Sequence, residues 1–113
     1  MRVAVLAALL AAPLPAIAQG QPPPLRFHVV NAGNEPITAV HASPVTDSHW
    51  GDNLIGRVHI PPGSGLAIST RERDTCLFDL RIVWASGRNE DRRRENFCGS
   101  SRVFRVDGAA AQR

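Results

Sequence analysis

Four histidines, two cysteines and one loop tryptophan set among acids are the residues of this chain whose types could do chemistry. His28, His41, His49 and His59 stand 13, 8 and 10 positions apart. Imidazole is a common zinc and copper ligand, but local metal motifs leave only about two to five residues between ligands. Convergence would need neighbouring strands. His28, His41 and His59 are the candidate metal ligands on that basis, with ordinary surface histidines as the alternative. Trp50 lies in Asp47-Ser48-His49-Trp50-Gly51-Asp52-Asn53. An aromatic in a glycine-containing loop offers contact surface to a ligand. Trp50, Asp47 and Asp52 are therefore the candidate ligand contacts, against a role for Trp50 in capping the core. The oxygen donors here lack the every-second-residue spacing of a calcium loop, so turn and capping roles fit them better.

Other polar groups read as structural. Arg92-Arg93-Arg94, with Arg88 nearby, could meet anionic head groups, a polyanion or an acidic partner. Glu90, Asp91 and Glu95 flank the run and cancel most of its field, so a solvated hairpin end is expected. Asp79 and Arg81 fall opposite an apolar row and suit a cross-strand pair or an ion pair half under a loop. Ser43, Ser64 and Ser69 sit in no nucleophile elbow, and no phosphate loop or dinucleotide glycine pattern is present. No catalytic residue and no cofactor are expected, and the chain is not read as an enzyme.

The start of the chain supplies an address. Met1-Arg2 is a short positive start, Val3 to Ala12 is apolar, and Ala16-Ile17-Ala18 suits signal peptidase. Residues 1–18 read as a secretory signal peptide cut between Ala18 and Gln19. The apolar run is about ten residues, half of the roughly twenty a membrane span needs. Removal of the leader leaves 95 residues, twelve arginines, no lysine and ten acids. That is one domain of modest core, and the charge balance does not argue for nucleic acid. Outside the cytoplasm an even pair of cysteines reads as a disulfide. Closing 22 residues between Cys76 and Cys98 contributes about 3 kcal/mol. Free thiols or a metal pair are the alternatives.

These residues must be positioned by strands. Residues 19–24 form a proline-rich extended linker, 25–107 the β domain, and 108–113 a flexible tail. Leu25–Val30, Ile37–Ser43, Leu54–Ile60, Leu66–Thr70, Cys76–Ala85, Asn96–Cys98 and Arg102–Val106 read as strands. In the clearest one, Cys76, Phe78, Leu80, Ile82 and Trp84 share one face, and a period of two over nine residues excludes a helix. The expected fold is all-β, a small antiparallel β-sandwich or partly open barrel of six to seven short strands with one disulfide.

The order of motifs is Phe27-x-Val29-x-Asn31, Ile37-x-x-Val40-x-x-Ser43-Pro44, Trp50-Gly51-x-Asn53-Leu54-x-Gly56, Pro62-Gly63, Cys76-x-x-Asp79-Leu80-Arg81 and Asn96-x-Cys98. It resembles a group of small exported bacterial β-domain proteins of unknown function, over about residues 25 to 106. The resemblance implies an antiparallel β domain with its two cysteines paired, and it supplies no activity and no ligand. Relatives of this kind sometimes carry the label argininosuccinate lyase. That label is rejected for this chain, because such lyases are several times longer and built of long helices. The expectation is a periplasmic or secreted, non-catalytic binding or structural domain of the bacterial envelope. Its candidate partners are an envelope protein or a small ligand, with no nucleic acid and no membrane span. A periplasmic metal-binding module using the histidines is the alternative, and a small hydrolase comes last.

Overall fold

A computed structural model describes residues 24–112. The expected signal peptide over residues 1–18, its expected cleavage site and residues 19–23 of the expected linker lie outside these, as does Arg113. Six strands form in chain order: β1 (Arg26–Asn31), β2 (Ile37–Pro44), β3 (Gly65–Ser69), β4 (Leu77–Trp84), β5 (Asn89–Asn96) and β6 (Val103–Val106). No helix among the described residues is long and apolar enough to cross a membrane. The strands make two three-stranded sheets, ordered β3-β1-β6 (sheet I) and β2-β4-β5 (sheet II).

Alternation explains the layering. Phe27 and Val29 from β1, Ile68 from β3, and Phe104 and Val106 from β6 turn inward from sheet I. Val40 from β2 and Phe78, Leu80, Ile82 and Trp84 from β4 turn inward from sheet II. Phe97 joins the two sheets. Its ring centroid lies 4.6 Å from Phe27, 4.7 Å from Phe78 and 5.1 Å from Phe104, spacings at which aromatic pairs attract beyond their buried area. Trp84 fills the other end of the core. A Cβ on Gly33 would come within 3.0 Å of its ring, and Gly108, at φ +83°, lies against the indole.

The antiparallel expectation holds for every strand pair except one: β1 and β6 run parallel. The chain leaves sheet II at Cys98 and enters sheet I at the end where β1 begins. There His28 N–H donates to Arg102 C=O (2.7 Å), so β6 must run the same way as β1. Cys76 and Cys98 are paired, with Cα atoms 5.2 Å apart. The bridge ties the entry of β4 to the exit of its hairpin partner β5. Cys76 lies just outside β4 and is exposed, so it does not join the apolar row as its spacing suggests.

Four local expectations are corrected. Leu54–Ile60 is no strand: Gly56 at φ +57° and a Val58-to-Ile55 turn break it up, leaving one bridge from Ile60 to Ile37. Ile60 is buried while Val58 is 52% exposed. Of Asn96–Cys98, Asn96 ends β5 and Phe97 and Cys98 form the turn after it. The charged stretch read as a hairpin end is itself strand β5, because its charges pair across to β4. The expected tail is tied back over its described part, where Asn89 and Gln112 exchange two 2.7 Å backbone hydrogen bonds.

Two asparagines lock the long β2–β3 connection in place. Asn31 is fully buried; its amide donates to Glu35 and Ile60 carbonyls and its oxygen accepts from Gly33 N–H. Asn53 turns to the free edge of β2. Its oxygen accepts from Val40 and Ile55 N–H at 3.0 and 3.1 Å, and its amide donates to Gly56 C=O. At the far end Glu35 accepts from Ser86 N–H and Arg88. Those contacts, Ser86 foremost, hold its carboxyl below the usual value.

Candidate functional site

The outer face of sheet II gathers a cluster of polar and charged side chains. Register places His41, Arg81 and Asp91 in one row, and Ser43 and Asp79 in the next. A bulge between Phe78 and Leu80 swings Arg93 and Arg94 toward Asp79. Asp79 holds the bulge: one oxygen accepts from Arg94 N–H (3.0 Å), the other from the Arg93 guanidinium (3.2 Å). Arg94 has φ +56°, a conformation that disfavours a side chain bearing Cβ. Arg81 donates to both oxygens of Asp91 at 2.7 and 2.8 Å. This fork geometry is the stronger form of the ion pair. Arg81 accordingly holds the Asp91 carboxyl below its ordinary value, with Arg93 adding to the pull, and the Arg81 guanidinium is raised in turn.

The loop after β2 folds back over these rows. Pro44 ends the strand, Asp47 N–H donates to Pro44 C=O, and Gly51 takes φ +72°. The His41 ring meets Gly51 C=O at 3.1 Å. This fold-back sets the Trp50 ring over two guanidiniums, 4.5 Å from Arg81 and 4.9 Å from Arg93. Each such contact contributes about 0.5–2 kcal/mol according to how dry it is. Trp50 thus roofs the charged rows of sheet II rather than capping the core. Ser43 points outward with them and is still only 5% exposed, because the loop covers it.

Trp50 borders two clefts. One, of about 130 Å³, has Ser43, Asp47, His49, Asp79 and Arg93 in its wall. The other, of about 160 Å³, has Asp47, Leu54, Asp52 and Arg71. Asp47 lines both, and exposed Asp52 pairs with Arg71 at 3.6 Å. The three candidate ligand contacts therefore lie together. A third hollow, of about 240 Å³, opens beyond the Arg81–Asp91 pair against Ala110 and Gln112.

The histidines do not converge. His28 lies on β1 in sheet I, His41 on β2 in sheet II, and His59 on the exposed loop before Ile60. Among the described residues no group of three or more His, Cys, Asp or Glu is placed to hold a metal ion. The strands that would have to be neighbours belong to different sheets. Ser48 Oγ lies 3.4 Å from His49 Nε2. No acid among the described residues orients that ring from its other nitrogen, so the pair lacks the third group of a nucleophile-activating triad.

Sequence reasoning placed Asp79 and Arg81 outward and expected ion pairing there; each takes its partner from β5, Arg93 and Asp91, rather than the other. It missed Arg93 and Arg81 as partners of Trp50, and Asn53 as the plug of the β2 edge. The period of two could have assigned Arg81, and then Arg93 on a paired strand, to the face that a loop starting at Pro44 can reach. Compared with protein families, curated proteins and solved structures, the chain has no match in any of the three.

Proposed function

We propose that this is an exported, non-catalytic β domain of the bacterial envelope that binds a small ligand or an envelope protein through the Trp50 face of sheet II. One observation carries the reading: the Trp50 indole is fixed by two guanidiniums between two clefts, one mainly polar and one mainly apolar. A preorganised aromatic costs little entropy on binding, and clefts of about 130 and 160 Å³, below the roughly 300–1,000 Å³ of drug-sized sites, suit a very small ligand or single side chains of a protein partner. The Cys76–Cys98 bridge suits an oxidising compartment outside the cytoplasm, in line with the export expected from residues 1–18.

Fluorescence separates binding from support. Trp84 is buried and Trp50 half-exposed, so fluorescence changes on adding envelope extract fractions report mainly on Trp50. Trp50→Ala removes that reporter, so binding to the variant is read by titration calorimetry with the same fractions: the heat seen with the wild type is lost and the melting temperature falls only slightly. A sharp fall in melting temperature with the binding heat intact assigns Trp50 to stability alone. Native mass spectrometry with copper or zinc addresses the metal alternative. Tight stoichiometric metal, lost in His41→Ala and His59→Ala, would make the domain a metal-binding module instead.

A further inference from the structure

Four strand edges border the two sheets, and three are blocked. The edge of β2 takes the Asn53 oxygen at Val40 N–H, Leu54 N–H at Val40 C=O, and the bridge to Ile60. That of β5 is closed at Asn89 by Gln112 and is dense in charge. At β6 the Arg92 guanidinium donates to Arg105 C=O (2.9 Å). These are the plugs and charges by which proteins keep sheet edges from pairing. The edge of β3 has none. Gly65-Leu66-Ala67-Ile68-Ser69 contains no charge and no proline.

The ladder shows which β3 groups are free. Thr70 N–H donates to Leu25 C=O and Asn31 N–H to Ser64 C=O, each at 2.8 Å. Antiparallel hydrogen bonding alternates along a strand. Leu66 and Ile68 therefore spend their backbone groups on β1, and those of Gly65, Ala67 and Ser69 point away from it. All three residues are exposed, and no hydrogen bond from the described residues reaches them on that side.

We propose that β3 pairs with β3 of a second copy, antiparallel about a two-fold axis through Ala67. Gly65 then faces Ser69 of the second copy and Ala67 faces its own counterpart. All the free N–H and C=O groups of both edges are satisfied, and the two copies of sheet I become one continuous sheet. An uncharged strand meets its own copy without repulsion. Gly, Ala and Ser on the outer face add no bulk, and half-buried Leu66 gains a neighbour in Ile68 of the second copy. The chain's own preceding segment is a poor occupant, because Pro22-Pro23-Pro24 has no amide hydrogens to donate. The contact is isologous, so it closes at two copies. It is smaller than a standard interface of about 800 Å² per partner, so the dimer is concentration-dependent.

Sedimentation equilibrium of the purified chain over a concentration series tests this, with hydrogen exchange at the Gly65, Ala67 and Ser69 amides. The dimer fraction should rise with concentration while those amides slow. Ala67→Lys sets two ammonium groups across the axis and should weaken association at least tenfold, leaving the monomer's melting temperature unchanged because Ala67 is exposed. Val103→Lys, on the same sheet but away from this edge, should associate as the wild type does. A monomer at the highest soluble concentration overturns the proposal. So does a dimer that Ala67→Lys leaves intact, or one whose β3 amides exchange at an unchanged rate.

Discussion

Sheets I and II bury the same kind of inward row and treat their outer faces in opposite ways. The strands of sheet I carry no acid and two arginines, Arg26 and Arg105. Those of sheet II carry Asp79, Glu90, Asp91 and Glu95 against Arg81, Arg92, Arg93 and Arg94. Sheet I leaves small or lone side chains in water, including Val103 at 54% exposure. Sheet II covers its outer face with a loop, a tryptophan and cross-strand ion pairs. Strand β5 shows what this entails. It holds no apolar residue, so its place is set by β4, by the bridge at its end and by Phe97 just beyond it. Even its inward Glu90, 2% exposed, is held by Gly108 N–H and Arg92 rather than by apolar contact. A face built from charge pairs responds to pH and salt; one built from alternation alone does not.

The largest effect tests what the sheets share. Phe97→Ala opens a cavity among three other rings and should cost about 3–5 kcal/mol, read from denaturant melts. A loss under about 1 kcal/mol, the ordinary cost of a point substitution, would mean that Phe97 does not join the sheets. Cys76→Ala and Cys98→Ala should each cost about 3 kcal/mol, and equally, because each removes the same bridge. Unequal losses would give one sulfur a second role.

Arg81→Met addresses sheet II alone. Asp91's folded pKa lies below its unfolded value of about 4, so its contribution is full above that value. It is lost as pH falls through the lower folded value. The variant should be less stable by about 1 kcal/mol at neutral pH. The gap should close in strong acid and narrow in high salt, where screening weakens the pair. A gap indifferent to pH would show that packing under Trp50, not charge, is what Arg81 supplies. The smallest effect belongs to sheet I: Val103→Lys should change stability by no more than about 0.5 kcal/mol and show no dependence on salt. A larger loss would mean that this face is covered after all.

Legibility followed the same divide. Leu25–Val30, Leu66–Thr70 and Cys76–Ala85 are readable as strands because their apolar residues recur at every second position. β5 is unreadable that way, since its inward positions are Glu90 and Arg92. Leu54–Ile60 is misleading for the opposite reason. Its apolar residues suggest pairing, but Gly56 turns the backbone and leaves Asn53 to meet the β2 edge. At the site, Trp50, Asp47 and Asp52 are legible from loop composition. Their setting over Arg81 and Arg93 is not, because it depends on how far a loop folds back.

Local pattern alone determined the all-strand class, the inward rows of β1, β3 and β4, the outward placing of Asp79 and Arg81, and a cysteine pair suited to one bridge. Backbone geometry makes each of these a property of neighbours in sequence. The parallel entry of β6, the separation of His28 from His41, the roof over the arginines and the bare edge of β3 were decided only in three dimensions. Each depends on which strands become neighbours, and that is set by packing between residues far apart in the chain.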